Sequence, residues 1–411
     1  MELLSIVTGL RRHKATSALI ALQVALTLCI VSNALFVVHD RLVRIDRPTG
    51  IDEADFAMFR NEWLAPYGDL KARIQGDLAV LRSAPGVADA YATNGAPLYV
   101  GGGAGGVGLK PNQETPSAYA ADYIVDDHAM KTLGIRLSEG RWFTPGDIVE
   151  RNDSLGDSLG DAPSTVIITR ALAAKLFPAG HALGSSIYLR QNPSTIVGIV
   201  ERLVTPLLYG VPPPVMDSFF ENSILVPGLM VEDSYVYAIR ALPGQRDAAL
   251  LASQRLLAQH DRARGIDLVH TFPAIRAESY KTDRSLASLL SLVCAMLLLV
   301  TGLGIVGLAS YWVGLRRSPI GIRRALGARR IDIVRYFQIE NVLIVGCGAA
   351  VGLALAVATN LWMVQNMALP RMGVHYAIAG AAIVLILGQL AVLWPARRAA
   401  SIPPARATRA L

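Results

Sequence analysis

The chain has 411 residues, of which 52% are hydrophobic and only 17% are charged, a balance too apolar for an ordinary soluble protein. The net charge of +7 joins two unlike parts: residues 39–284 hold 24 Lys/Arg against 29 Asp/Glu, and the rest hold 15 against 3 (Glu2, Asp332, Glu340). The basic surplus therefore flanks apolar runs and forms no folded basic face, which excludes a nucleic-acid partner. The three cysteines (Cys29, Cys294, Cys347) all lie in apolar runs, which excludes a disulfide framework in the acidic segment.

Residues 1–14 form a short basic amphipathic segment, and Ala15–Val38 follows as 24 residues without a charge. About 20 apolar residues cross the hydrocarbon core as a helix, so this run predicts a first span. Ser32-Asn33-Ala34 offers a small-x-small cleavage pattern, but the run before it exceeds a secretory h-region and Leu35–Val38 continue it. The expectation is an uncleaved anchor.

Residues 39–284 read as one α+β domain. Asp69 is placed to cap a helix with Leu70, Ile74, Leu78 and Leu81 on one face, stopped by Pro85-Gly86, and Val87–Thr93 then reads as a strand. Gly101–Gly108 formally contains Gly-x-Gly-x-x-Gly, yet Pro111 and polar residues follow where a nucleotide site needs a helix; Leu109 and Pro111 around Lys110 also break a phosphate-loop pattern. A flexible loop is expected. The tandem Asp153, Asp157 and Asp161 lack the denser oxygen pattern of calcium loops and read as an exposed insertion. Strands are predicted at Thr165–Ile168, Ser186–Leu189, Thr195–Val200 and Asp267–Thr271, and helices at Arg170–Phe177 and Arg246–Arg264. His128, His181, His260 and His270 have no metal-ligand spacing, and no His-Glu-x-x-His, Gly-x-Ser-x-Gly or Cys-x-x-Cys occurs, so neither a metal nor an enzyme centre is expected.

Three further spans are predicted at 286–313, 341–364 and 376–394, separated by a connection at 314–340 and followed by a tail at 395–411. Arg11, Arg12 and Lys14 precede the first span; Arg316, Arg317, Arg323, Arg324, Arg329, Arg330 and Arg335 lie in the 314–340 connection; and Arg397, Arg398, Arg406 and Arg409 lie in the tail. The connection between the last two spans has only Arg371. Basic residues stay on the cytoplasmic side, so both termini and the 314–340 connection are expected inside and residues 39–284 outside. None of the runs so drawn carries a charge, which argues against a pump working through its own membrane core. Gln23, Asn33, Asn360 and Gln389 read as interhelical hydrogen-bond partners, and Gly348, Gly352 and Ala356 as a small-residue stripe packing on the second or fourth span.

The 314–340 connection could be no more than a basic loop against lipid headgroups. But Ile322 and Leu326 stand at helical spacing, and Gly327 is placed to stop a helix. A short amphipathic helix under the membrane is predicted, with a second starting near Asp332, and a helix so displayed can dock in a partner's groove.

These residues resemble the FtsX-like/MacB-type permeases of ABC transporters. In that family Ile320-Gly321-Ile322-Arg323-Arg324-Ala325-Leu326-Gly327-Ala328 is similar to the helix that couples to the ATPase. Leu133–Asp147, Thr165–Arg202 and Pro395–Ala405 resemble the periplasmic-domain and C-terminal signatures, in the right order across nearly the whole chain. One departure is Pro319, which stands where the family usually carries Glu before Ile-Gly and puts in question any salt bridge from that acid. The resemblance implies an α-helical membrane protein with four transmembrane helices and a large α+β periplasmic domain inserted between helices 1 and 2. It implies a bacterial inner-membrane location, a second permease subunit (identical or paralogous), and coupling by mechanotransmission. Partners on that reading are ABC ATPase subunits, membrane lipid, and a periplasmic adaptor with an outer-membrane duct. No cofactor is expected on the chain itself, because ATP and Mg would sit on the ATPase, which is expected to be another polypeptide. Export of antibiotics, peptides or lipid-like substrates is the function it implies first. Lipoprotein extraction or control of a periplasmic hydrolase is a second reading, and a membrane-anchored sensor without transport a third.

Overall fold

The computed structural model describes residues 14–64, 68–99, 101–151, 162–189, 191–206, 213–315, 317–367 and 370–401. It divides into two compact units, Met1–Asp46 with Thr282–Leu411, and Arg47–Lys281. Four of its helices are long and apolar enough to cross a membrane, and the α+β unit stands in the sequence between the first and second.

The first of these, α1 (Lys14–Ile45), runs beyond the predicted apolar segment because Asp40 and Arg44, spaced i,i+4, pair at 3.0 Å and continue the helix past the last apolar turn.

In the α+β unit β1 (Phe56–Trp63) precedes α2 (Leu70–Ser83), whose Asp69 cap accepts the Ala72 N–H at 3.0 Å. β2 (Val87–Thr93) follows, then β3 (Gly103–Val107) and β4 (Ala118–Val125). β3 corrects the expected flexible loop: the glycine run forms an outer strand paired with β4. Glycine is required there by proximity, since a Cβ on Gly106 would meet the Pro116 ring at 2.4 Å. α3 (Ala129–Leu133), β5 (Leu137–Gly140), β6 (Glu150–Arg151), β7 (Thr165–Thr169), α4 (Arg170–Leu176), β8 (Ser186–Tyr188) and β9 (Pro193–Val200) come next. Then follow α5 (Pro213–Asp217), β10 (Ser223–Pro227), β11 (Leu229–Met230), β12 (Ser234–Ala241), α6 (Arg246–His260), β13 (Arg264–Thr271) and α7 (Phe272–Ser279). The tandem aspartates 153, 157 and 161 lie outside the described residues.

One sheet is antiparallel in the order β13-β1-β12-β2, with Phe59 opposite Tyr237 and Ala90 opposite Ile239. α2 and α6 bury Ile74, Leu78, Leu81, Leu250 and Leu257 in a common core with Phe59, Tyr237 and Ile239. A second sheet is mixed, in the order β3-β4-β10-β7-β9-β5 with β8 on β9; β10 runs parallel to β4 and β7 parallel to β9, and β6 pairs with β11 in a two-stranded third sheet. Its core gathers Val166, Ile168, Leu172, Ile196, Ile224 and Val226.

A buried ion pair ties the first sheet to α2. Arg264 donates both terminal nitrogens to Asp77, at 2.7 and 2.8 Å, while its guanidinium lies 4.3 Å from the Trp63 ring centre. The Tyr237 hydroxyl donates to Asp77 at 2.7 Å, and Asn61 accepts from Arg264 at 3.2 Å. Full hydrogen bonding of both ions is the condition under which such a pair survives burial.

The chain then returns to the membrane unit through α8 (Lys281–Leu315), α9 (Arg317–Ala325), α10 (Arg330–Met367) and α11 (Val374–Ala400).

Candidate functional site: the helix α9 and the bundle behind it

α9 is held by one side and open on the other. Ile320 is 6% exposed and packs in a core with Ile333 and Phe337 of α10 and Ala396, Ala399 and Ala400 of α11; Gly321 is also buried. Ile322 is 49% and Leu326 83% exposed, and Arg323, Ala325 and Gly327 are exposed beside them. Arg324 and Ala328 are half-buried. Arg323 places its guanidinium 5.0 Å from the Tyr336 ring centre, a cation–π contact that orients it on α10. The side chains of residues 316–319, Pro319 included, lie outside the described residues.

The end of α9 is a complete Schellman stop: the Ala328 N–H reaches the Arg323 carbonyl at 3.1 Å and the Gly327 N–H the Arg324 carbonyl at 3.2 Å. Gly327 supplies the required left-handed residue, with φ of 99°. α10 starts three residues later, where the Asp332 carboxylate accepts the Arg329 N–H at 2.9 Å. Both sides of the elbow are thus fixed by hydrogen bonds.

Gly348, Gly352 and Ala356 face α1. A Cβ on Gly348 would meet the Ala21 carbonyl oxygen at 2.6 Å, and one on Gly352 the Ala25 carbonyl oxygen at 2.8 Å. The Asn33 amide donates to the Ala356 carbonyl at 3.2 Å. The expected partner was the second or fourth span, and the structure corrects it to the first. The stripe permits backbone contact with a helix whose own facing residues include the small Ala21 and Ala25, a complementarity that periodicity on one helix cannot reveal.

Of the other polar residues, Gln23 donates to the Val300 carbonyl at 3.3 Å, and Thr27 meets Thr301 at 2.7 Å. Asn360 instead accepts from the Met372 N–H at 3.0 Å, in the connection after its own helix, and Gln389 Nε2 has no hydrogen-bond partner among the described residues.

Sequence reasoning missed Glu340. It lies just before the apolar run 341–364, yet α10 begins at Arg330, so Glu340 is buried in the bundle. With Asn341, Trp312 and Phe337 it lines a small cavity of about 20 Å³, and Asn341 donates to the Gly388 carbonyl at 2.9 Å. The one available signal was a carboxylate within a helix that the basic connection extends backwards.

Four helices long and apolar enough to cross a membrane, an α+β unit between the first two in the sequence, and an amphipathic helix before the third define, among the described residues, a polytopic membrane protein. Residues 28–253 match the MacB-like periplasmic core domain, over half the chain, and residues 291–404 match the FtsX-like permease C-terminal domain. The chain belongs to this family of FtsX-like permeases with a MacB-like periplasmic domain. It is 28% identical over 261 residues to the macrolide export ATP-binding/permease protein MacB of a Shewanella species, covering 60% of this chain and 38% of the relative. It is 30% identical over 282 residues to the pyoverdine export ATP-binding/permease protein PvdT of Pseudomonas fluorescens, covering 66% of this chain and 39% of the relative. The chain thus spans about two fifths of the length of these relatives. The periplasmic region of MacB from Actinobacillus actinomycetemcomitans covers 57% of this chain and 97% of its own, at a TM-score of 0.34 and 14% identity.

Proposed function

We propose that this chain is the membrane subunit of an ABC-type exporter of the bacterial inner membrane, driven by an ABC ATPase. Both termini and the 314–340 connection face the cytoplasm on this reading. The chain is non-catalytic, with ATP and magnesium on the ATPase, and pairs with a second copy or a paralogue. ATP-driven closure is transmitted through the membrane helices to the periplasmic domains, which pass an antibiotic, peptide or lipid-like substrate to an adaptor and outer-membrane duct. The macrolide and pyoverdine export for which these relatives are named supports an export role of this kind.

The observation that carries the reading is the outward pair Ile322 and Leu326 on a helix anchored from behind by Ile320. An apolar pair at that exposure, in water and at helical spacing, suits a groove on a partner. Burying a leucine in an interface is worth about 2–4 kcal/mol, whereas an exposed charge pair contributes about 0–1 kcal/mol. Leu326→Asp is therefore expected to release the ATPase in co-purification while the protein stays inserted and folded. Arg323→Ala is expected to weaken binding modestly, by loss of its own charge and of the ring contact with Tyr336. Retention of the ATPase by Leu326→Asp at wild-type levels would remove α9 as the coupling element.

A further inference from the structure

The periplasmic unit contains a cavity of about 500 Å³ between α2, the turn that follows β4, the Pro145–Glu150 segment and β11. That volume falls within the range of sites for small organic ligands. Its floor is apolar: Leu78 and Leu229 are buried and belong to the core of the first sheet, with Ile148 packed against them. Its outer wall is fixed from behind, because Arg141 grips the Asp147 carboxylate at 2.8 and 3.1 Å and Asp147 accepts from the Thr144 N–H at 2.8 Å. The Arg141 guanidinium holds the Asp147 carboxyl far below the usual carboxylate range, so this clamp stays charged.

The charges around the cavity do not balance. Lys71 pairs with Glu150 at 2.6 Å on one side. On the other, Arg82 donates to Asp126 at 3.1 Å but also lies 3.5 Å from the buried Asp89, so one guanidinium serves two buried carboxylates. His128 Nδ1 and the Lys131 ammonium lie 2.8 and 3.5 Å from Asp89, while the His128 backbone N–H donates to Asp126 at 2.9 Å. Asp127, half-buried and lining the cavity, has no ion-pair partner among the described residues. The lining therefore has three carboxylates (Asp126, Asp127, Glu150) against two permanent cations (Lys71, Arg82), with the His128 imidazole as a third basic group. Burial pushes Asp126 up to about 6; Arg82 and His128 oppose the rise in part, and the neighbouring Asp127 adds a smaller push upward. An incoming cation would relieve the strain of two adjacent carboxylates.

We propose that this cavity binds an amphiphile bearing a basic amine, with its apolar body on Leu78, Ile148 and Leu229 and its ammonium at Asp127 beside Asp126. The proposal deepens the export reading, since it gives the chemistry of a substance the periplasmic domain would handle. Binding requires neither ATP nor an ATPase, so loss of the coupling assignment at α9 and loss of this site would be seen in separate experiments.

The test is photo-crosslinking of the full chain in lipid nanodiscs with 4-(4-aminobutyl)benzophenone, using its carboxylic-acid analogue as the counter-probe. Cross-linked peptides are mapped by mass spectrometry. The amine should label peptides from residues 70–82, 126–128 or 145–150 saturably, and the acid should not. Asp127→Asn keeps the shape of the side chain and should raise the half-saturating concentration about tenfold to a hundredfold. Val149→Trp fills the mouth from a position that is 50% exposed, where folding tolerates bulk, and should abolish labelling of these peptides. Equal labelling by the acid, an unchanged half-saturation in Asp127→Asn, or no saturable labelling of these peptides would each overturn the proposal.

Discussion

Gly352→Ala is the sharpest probe of the bundle. The added methyl would lie 2.8 Å from the Ala25 carbonyl oxygen and 3.0 Å from the Ala25 Cα, about 0.6 and 0.4 Å inside ordinary contact at 3.4 Å. Both obstacles are backbone, so α1 and α10 must part by a few tenths of an ångström along a tightly packed seam. Overpacking of that kind costs about 1–3 kcal/mol. Alanine also returns up to about 1 kcal/mol of helix propensity, so a net loss of about 0–2 kcal/mol is expected. Gly346→Ala supplies the control on the same helix: a Cβ there meets nothing within 4 Å, so only the propensity gain remains. The difference between the two variants, about 1–3 kcal/mol, is free of the propensity contribution. Thermal unfolding in detergent, followed by the fraction remaining monodisperse on size exclusion, reads it directly. Equal midpoints for the two variants would refute the claim that Gly352 is required by approach to the first span.

Other expectations follow from the same geometry. Asp77→Ala leaves Arg264 buried without its partner and should lose about 3–5 kcal/mol of stability in chemical denaturation, while Asp77→Leu with Arg264→Met should lose much less; equal losses would deny that the stranded charge is the cause. Asp126, raised to about 6 against an ordinary carboxylate near 4, binds its proton more tightly in the fold than in the unfolded chain. Its contribution to stability is therefore fullest below about pH 4 and is lost as the pH rises to about 6. The stability of wild type minus that of Asp126→Asn should fall across this window, and a flat or rising difference would contradict the assignment. Glu114→Cys, in a background lacking Cys29, Cys294 and Cys347, should react with an impermeant thiol reagent in spheroplasts, and Arg329→Cys should not; the reverse pattern would invert the topology.

The sequence disclosed what repeats along one element and hid what depends on two. Asp69 and the Leu70–Leu81 spacing announced α2, and charge-free length announced the membrane helices. β1, β4, β10 and β12 went unread because they are buried along nearly their whole length, so no alternation of apolar and polar residues marks them. The glycine run was read as a loop because glycine weakens strands in general; its pairing with β4 and the nearness of Pro116 belong to the fold alone. α6 stops at His260 and β13 takes Arg264, which is drawn into the buried pair with Asp77 across 187 residues of chain. In the candidate site, the exposure of Ile322 and Leu326 was legible from spacing, whereas the anchoring by Ile320 needs the ends of α10 and α11 together. Glu340 and the cavity beside Asp127 need three or more elements each, and no window of sequence contains them.

The elbow after α9 has a mechanical meaning. A joint closed by two backbone hydrogen bonds on one side and a carboxylate cap on the other has little slack, so on the proposed coupling a push at Leu326 would be delivered to α10 with small loss. α10 in turn touches α1 through backbone at Gly348 and Gly352, where no side chain is present to flex and absorb the displacement. α1 then runs without a break to Ile45. If the displayed helix couples to an ATPase, the stiffest route out of it leads through the third membrane helix into the first, and a lengthened or glycine-rich elbow would act as a clutch.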